Sequence, residues 1–295
     1  MNTKAKKQAI DSVLVHLLDS RQAIKKKSSS FYFAFSRLPR YQAFSIFVLY
    51  DFLRQLDDAA DTGNADAFNA LVNSWQTAMI AHDIIVTSLS TIGEKVAYIF
   101  HVFDIDAQDM LDMIAGQKSD LNHVSFETVQ ELEVYCYQVA GTVGCMIYTI
   151  LSGKPIQMMK QDIINVGIAL QLTNIIRDFH EDLLAQRCFI PKSLLQFDAE
   201  LSSEDIMLKK EQDIKKALQQ LSDIAISHYN CSAKIIKHLD NKTSQFALEL
   251  SIEVYKKILL KMIANKFELS DQRVFVTRTE KIMLFQAIAV KYIVA

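Results

Sequence analysis

Apolar residues recur at helical spacing along nearly the whole chain. Clear examples are Leu14, Leu17 and Leu18, then Ile214, Ala217, Leu218 and Leu221, and later Leu248, Ile252, Tyr255 and Leu259. Alternating strand patterns bounded by turn dipeptides are absent from the sequence. Breaks leave segments of about 15 to 30 residues, longer than the average globular helix, and they fall at Leu38-Pro39, Thr62-Gly63-Asn64, Ser152-Gly153-Lys154-Pro155, Ile190-Pro191 and Ser202-Ser203. The pattern predicts an all-α bundle around a central cavity or a solid core.

The composition agrees with long helices in one folded unit. Only 7 glycines and 3 prolines interrupt 295 residues, of which 50% are hydrophobic. Because no Pro/Gly/Ser-rich linker divides the sequence, we predict a single domain over residues 1–295. The formal net charge of -2 provides no overall attraction to nucleic acid, so no nucleic-acid partner is expected.

The sequence also predicts a cytoplasmic protein without a transmembrane anchor. Its 4 cysteines lack CxxC spacing, which favours reduced thiols. The uncharged stretch Val134–Gly153 is about the 20 residues that a bilayer requires. It contains Gln138, Thr142 and several small residues, which suit a helix buried in protein better than one facing lipid.

One predicted helix carries an acidic stripe. Positions i, i+4, i+7, i+8 and i+11 share one face over about three turns, and here they are Tyr50, Arg54, Asp57, Asp58 and Asp61. Carboxylate oxygens and waters are the ligands that Mg²⁺ prefers, and the arginine fork matches a phosphate group. Taken alone, such a helix could equally present a solvated acidic face.

A second helix repeats this arrangement. One of its faces carries Gln171, Asn174, Arg177, Asp178 and Asp182. This stripe continues the apolar segment Ile163–Ile176, in which amide side chains are costly to bury without partners. Two such helices facing each other could hold several Mg²⁺ ions and a diphosphate leaving group. Apolar walls would then shelter a carbocation from water.

Motifs along nearly the whole chain resemble the squalene/phytoene synthase family of head-to-head prenyl transferases, and most closely its bacterial dehydrosqualene synthase branch. In chain order the matching segments are Ser28-Ser29-Ser30-Phe31 with Leu38-Pro39, Tyr50–Asp61, Tyr135–Gly144, Gln171–Asp182, Arg187 with Pro191, Tyr255, and Arg273–Val276. The resemblance implies an α-helical isoprenoid-synthase bundle around a central apolar tunnel. It also implies a two-step reaction through a cyclopropylcarbinyl diphosphate, with Mg²⁺ assisting ionisation of the diphosphate.

The resemblance assigns roles to particular residues. It implies catalytic roles for Tyr135, Asp57, Asp61, Asp178 and Asp182. The metal ligands expected from the family and the two stripes are Asp57, Asp58, Asp61, Asn174, Asp178 and Asp182. The expected substrate-binding residues are Lys27, Ser28, Ser29, Ser30, Tyr50, Arg54, Gln171, Asn174, Arg177, Tyr255 and Arg273.

Two positions depart from the family pattern. Family members often carry a basic residue where this chain has Ser29, so the diphosphate contact is expected from Lys25, Lys26 or Lys27, or is weaker. Two residues after Arg187 the family usually has a tyrosine, and here Phe189 lacks that hydroxyl. Neither departure affects the expected metal ligands.

The favoured reaction joins two farnesyl diphosphates to dehydrosqualene without NADPH. Bulky Phe31, Phe35 and Phe47 flank the first motif, where they would shorten the tunnel. Phytoene synthesis from geranylgeranyl diphosphate and squalene synthesis with NADPH remain alternatives. So do a chain-elongating prenyl transferase, a terpene cyclase and a non-enzymatic helical scaffold. The expected partners are the prenyl diphosphates, a membrane surface contacted peripherally for product release, and a downstream desaturase.

Overall fold

The computed structural model describes residues 1–81, 89–121, 125–195, 211–268 and 273–294, and all regular elements in these ranges are helices. The α-helices are α1 Thr3–Leu17, α2 Ser20–Lys27, α3 Ser29–Phe35, α4 Arg40–Asp61, α5 Ala65–Ile80, α6 Ile92–Phe103, α7 Ala107–Asp120, α8 Val129–Cys136, α9 Thr142–Ser152, α10 Lys160–Leu184, α11 Glu211–Tyr229, α12 Ser232–His238, α13 Lys242–Ala264 and α14 Arg278–Val294. A π turn, Tyr137–Gly141, joins α8 to α9, and short 3₁₀ turns occupy Gln157–Met159 and Lys192–Leu194. The all-α prediction is confirmed.

Three of the predicted breaks, at Leu38-Pro39, Thr62-Gly63-Asn64 and Ser152–Pro155, coincide with helix boundaries, whereas many other boundaries were not predicted. Pro39 immediately precedes α4, and the Asn64 side chain caps α5 by accepting a hydrogen bond from the Ala67 amide at 3.0 Å. Gly153 ends α9 with a φ of 66°, a conformation that glycine adopts without strain. The Ser202-Ser203 break lies outside the described residues. The periodicity near the N-terminus is split, because α1 ends before α2 begins at Ser20.

The three longest helices form the centre of the bundle. Helix α4 packs against α1, α2, α5 and α6, and most of its first two turns is buried. Helix α10 packs against α9, the π turn, α11 and α13. In both α4 and α10 the residues of the acidic stripe fall in the C-terminal half, after apolar residues that face the interior. A cavity between these helices is therefore apolar along one part and polar along the other.

The π turn lets two segments of backbone meet beside this cavity. A Cβ atom at Gly167 would lie 2.6 Å from the Gly141 Cα and 2.7 Å from the Ala140 carbonyl oxygen. Any larger residue at Gly167 would therefore push α10 away from the turn. The small residues of this segment serve helix packing, while Val143 and Gly144 also line the cavity.

One described helix is long and apolar enough to cross a membrane by length and composition. It is the continuous helical stretch Val129–Ser152, and 56% of its most apolar window is buried inside the protein. Its contacts with α7 and α10 are those of a core helix. The four cysteines are free thiols, as the sequence predicts.

Candidate active site

A cavity of about 720 Å³ lies between α3, α4, α9, α10 and α13. Its apolar wall includes Phe31, Phe35, Leu49, Leu53, Ile163, Val166, Leu170 and Ile252. Its polar wall contains all the substrate-binding residues expected from the sequence, namely Lys27, Ser28, Ser29, Ser30, Tyr50, Arg54, Gln171, Asn174, Arg177, Tyr255 and Arg273. Asp57 also lines it, whereas Asp58, Asp61, Asp178 and Asp182 are not among the lining residues. The arrangement suits a ligand with a long apolar tail and an anionic head.

The acidic stripe of α4 is held by cations from its own surroundings. Arg54 Nη1 lies 2.7 Å from Asp57 Oδ2, and Arg54 Nη2 lies 2.6 Å from Asp58 Oδ1, which is the spacing of one helical turn. Lys27 Nζ adds a contact of 3.1 Å to Asp58. Burial raises the pKa of Asp57 to about 6. Burial also raises the pKa of Asp58, but hydrogen bonds from Lys27 and Arg54 outweigh it and hold that pKa below its usual value.

The acidic stripe of α10 is more buried than that of α4, and one of the cations paired with it comes from a distant part of the sequence. Arg177 binds both oxygens of Asp178, with Nε to Oδ1 at 2.7 Å and Nη2 to Oδ2 at 2.6 Å. Arg273 Nη2 lies 2.7 Å from the same Oδ2. Burial alone would raise the pKa of Asp178, yet hydrogen bonds from these two guanidinium groups lower it overall. The charge of the neighbouring Arg177 opposes the rise that burial causes in the pKa of Tyr255, so Tyr255 connects α13 to this cluster.

Arg187 joins the two stripes. The left-handed φ of 59° at Gln186 turns the chain back after α10, and the Arg187 amide donates to the Asp182 carbonyl at 2.8 Å. From there Nη1 reaches Asp61 Oδ1 at 2.5 Å and Nη2 reaches Asp182 Oδ1 at 3.0 Å. Burial raises the pKa of Asp182 to about 6. The two helices therefore present their carboxylates towards each other, with a guanidinium group between them.

The donor atoms suit a divalent cation, although arginines hold most of them. Asn174 Oδ1 is buried without a hydrogen-bond partner, Asn174 and Asp57 both line the cavity, and oxygen donors of this kind are what Mg²⁺ takes. Among the described residues, however, no group of three His, Cys, Asp or Glu side chains is close enough to hold a metal ion. The side chains offer the oxygen ligands that Mg²⁺ prefers. Binding of Mg²⁺ would require the carboxylates to release their arginine partners.

Tyr135 does not line the cavity. It is buried behind the acidic residues, where its hydroxyl donates to Asp120 Oδ2 at 3.1 Å. Its ring centroid lies 5.7 Å from that of Phe189 and 5.3 Å from that of Phe126. Because Phe189 has no hydroxyl group, its ring makes an apolar contact with the ring of Tyr135.

Sequence analysis overlooked the functional placement of three side chains: Asp120, Arg187 and Lys281. Burial, with a smaller contribution from the neighbouring Asp57 and Asp61, raises the pKa of Asp120 to about 7, and its Oδ1 has no hydrogen-bond partner. Lys281 Nζ donates to Ser29 Oγ at 2.9 Å across 252 positions of sequence. Asp120 and Lys281 are far from the stripes in the sequence, and Arg187 follows the end of α10, so no spacing within a helix indicated their positions. The sequence also predicts that Phe47 shortens the tunnel. Phe47 is instead not part of the cavity lining and packs against Tyr32 and Phe44.

Comparisons with known proteins agree with this geometry. The squalene/phytoene synthase family model matches residues 24–280. The 4,4'-diapophytoene synthase of Staphylococcus haemolyticus is 29% identical over 283 residues, which cover 92% of this chain and 95% of that protein. The 15-cis-phytoene synthase of Synechocystis sp. is 27% identical over 278 residues, which cover 89% of this chain and 81% of that protein. A crystal structure of a dehydrosqualene synthase with a ligand has the same fold, with a TM-score of 0.81 at 24% identity, covering 97% of this chain and 100% of that one.

The protein is a prenyl transferase, an enzyme that acts on prenyl diphosphates. The chain belongs to the squalene/phytoene synthase family, whose members join their substrates head to head with the general assistance of divalent metal. The resemblance, the fold class and the enzyme class predicted from the sequence are confirmed.

Proposed function

We propose that this single-domain protein condenses two farnesyl diphosphates head to head to dehydrosqualene. The observation that carries the proposal is the cavity, whose apolar wall and cationic wall match the two ends of a prenyl diphosphate. The similarity to a 4,4'-diapophytoene synthase over 95% of that protein's length supports the choice of product. The reaction releases two diphosphates and two protons, one of each in each step, so it needs no reductant, and NADPH is not expected.

The cationic wall binds and orients the diphosphates. Arg54 and Arg177 each offer a planar fork that can contact two phosphate oxygens. Tyr50 and Tyr255 stand beside them, and burial raises the pKa of Tyr50 to about 12, so its hydroxyl stays protonated and can donate a hydrogen bond. An incoming diphosphate competes with Asp57 and Asp178 for the arginines. Substrate binding would thereby free the carboxylates for a cation.

We assign the metal-binding role to Asp57, Asp58, Asp61, Asn174, Asp178 and Asp182. When bound, Mg²⁺ would neutralise the charge that develops on the leaving diphosphate. Asn174 supports this assignment because it lines the cavity and its buried Oδ1 has no hydrogen-bond partner. We keep Tyr135 as a catalytic residue by resemblance, with Asp120 orienting its hydroxyl.

The apolar wall keeps water away from the cationic intermediates and limits chain length. Phe31 and Phe35 are stacked with ring centroids 5.8 Å apart, and both line the cavity. Because overpacking a filled site costs about 1 to 3 kcal/mol, these rings favour a C15 chain over a C20 chain. Phe35→Ala should increase the use of geranylgeranyl diphosphate. Phe47→Ala is the matched control, since it removes an equally buried ring that does not line the cavity.

Product analysis tests the proposal directly. The purified protein is incubated with farnesyl or geranylgeranyl diphosphate, with Mg²⁺ or a chelator, and with or without NADPH, and the hydrocarbons are identified by mass. A C30 hydrocarbon with the mass of dehydrosqualene, formed without NADPH, is the expected product. Preferential use of the C20 substrate would assign phytoene synthesis, which the similarity to a phytoene synthase makes the second candidate. Formation of squalene in the presence of NADPH would assign squalene synthesis, the third candidate.

We further propose that the protein works in the cytoplasm, contacts a membrane peripherally during product release and supplies a desaturase. Phe275 is 64% exposed while also lining the cavity, and the outer face of α14 exposes Ile282, Met283, Val290 and Ile293. An apolar surface continuous with the cavity gives a hydrocarbon a route out of water. Co-sedimentation with lipid vesicles tests this, and a Phe275→Ser chain that sediments as well as the unaltered protein would contradict it.

A further inference from the structure

Lys281 reaches the cavity from the last helix of the chain. It lies in the first turn of α14, is 9% exposed, and is one of the residues lining the cavity. Its ammonium donates a hydrogen bond to Ser29 Oγ at 2.9 Å. The segment Ser28–Ser30 carries no charge of its own, and Lys281 places a positive charge beside Ser29 in addition to Lys26 and Lys27, which also line the cavity.

The charge of Lys281 is not neutralised by the protein. Arg54, Arg177, Arg187, Arg273 and Lys27 each form an ion pair with an aspartate. Within the described ranges no ion pair involves Lys281, and burial alone lowers its pKa. A buried ammonium without a counter-ion is unfavourable in the empty protein. An anionic ligand in the cavity would remove that cost.

We infer that Lys281 is a diphosphate-binding residue, whose ammonium contacts a phosphate oxygen of a prenyl diphosphate at the Ser29 side of the cavity. This inference rests on the proposed function, since it takes its ligand class from there. A purely structural role is the competing explanation, in which the bond to Ser29 holds α14 against α3. The two explanations predict opposite effects on stability.

The test compares four proteins: the unaltered chain, Lys281→Met, Lys281→Arg and Arg278→Met. Arg278 is a matched control because it is an exposed cation on the same helix, outside the cavity lining. Calorimetry measures the affinity for inorganic diphosphate and for a farnesyl thiodiphosphate that cannot ionise. We expect Lys281→Met to weaken both by roughly tenfold or more, the effect of losing a hydrogen bond to a charged group. We expect Lys281→Arg to remain within about threefold and Arg278→Met to be unchanged.

Thermal unfolding without ligand separates binding from structure. Lys281→Met should unfold at the same or a higher temperature than the unaltered chain, because it removes an unpaired buried charge. A lower unfolding temperature or a failure to fold assigns Lys281 a structural role and overturns the inference. The inference is also overturned if Lys281→Met binds inorganic diphosphate as tightly as the unaltered chain, or if Arg278→Met loses as much affinity as Lys281→Met. If the unaltered chain makes the hydrocarbon while Lys281→Met binds normally, only this inference fails. If the unaltered chain binds neither ligand, the proposed function fails with it.

Discussion

The two acidic stripes have similar residues in different surroundings. On α4 the side chains of Asp57, Asp58 and Asp61 are 37%, 43% and 39% exposed, and Arg54 pairs with its own helical neighbours. On α10 the side chains of Asp178 and Asp182 are 20% and 15% exposed, and arginines from later in the chain complete the pairing. Exposed pairs contribute little to stability, whereas breaking a buried pair is costly. The α10 stripe is therefore part of the folded core as well as of the candidate site.

Replacing Asp178 should have the largest effect. Asp178→Asn is expected to lower turnover at least roughly a thousandfold, because it removes charge needed at the leaving group. It should also lower the free energy of unfolding by about 3 kcal/mol, because Arg177 and Arg273 lose their shared carboxylate. Steady-state turnover and denaturant unfolding measure the two effects. Asp162→Asn is the control, since Asp162 on the same helix is 19% exposed and pairs with Lys234 outside the cavity. A loss of stability in Asp178→Asn no larger than that in Asp162→Asn would contradict a structural role for the carboxylate shared by Arg177 and Arg273.

Replacing Asp57 should separate activity from stability. Asp57→Asn is expected to lose turnover to a similar degree, while its free energy of unfolding stays within about 1 kcal/mol of the unaltered chain. Arg54 keeps Asp58 as a partner, and repulsion among the α4 carboxylates decreases. The same two measurements apply, with Asp51→Asn as a control on the same helix outside the cavity lining. A loss of stability as large as that of Asp178→Asn contradicts the comparison.

Removing Arg187 should change how the paired stripes respond to metal. In the unaltered chain Mg²⁺ alone should raise the unfolding temperature little, because Arg187 already bridges Asp61 and Asp182. Mg²⁺ with inorganic diphosphate should raise it by several degrees, since ligands that bind only the folded state stabilise it. Arg187→Met leaves the two carboxylates without that cation, so Mg²⁺ alone should stabilise this variant more. Potassium chloride at matched ionic strength is the control. An equal response of both chains to Mg²⁺ alone would show that the bridge does not compete with metal.

The smallest expected effect concerns the two arginines that lead the stripes. Arg177→Lys should weaken binding of a farnesyl thiodiphosphate roughly tenfold, because lysine cannot reproduce the bidentate contact. Arg54→Lys should weaken it by only about threefold, since a point charge can adapt at a more exposed position. Both alanine variants should bind more weakly than the lysine variants. Equal losses for Arg54→Lys and Arg177→Lys would mean that burial does not distinguish the two guanidinium groups.

The sequence was most informative where spacing within one helix decides geometry. Arg54 and Asp57 lie one turn apart, and their contact at 2.7 Å follows directly from helical periodicity. The polar wall of the cavity could be predicted for the same reason, together with the resemblance to a family. Lys281 and Arg187 could not be found this way, because a tertiary approach of α14 and a left-handed residue after α10 place them. The position of Tyr135 behind the cavity depends on how α8 packs beside α7, which no local pattern encodes.

The π turn at Tyr137–Gly141 has a consequence for insertions and deletions. A π turn holds one residue more than the α turn it replaces. The helices on either side of it still direct their apolar faces towards the core. Removing one residue inside the turn would restore a regular helix, with Cys136 and Cys145 still directed inwards. Removing one residue within α9 would instead rotate everything after it by about 100° and turn buried side chains outwards. Changes of chain length during evolution are therefore expected at this turn rather than within the helices that flank it.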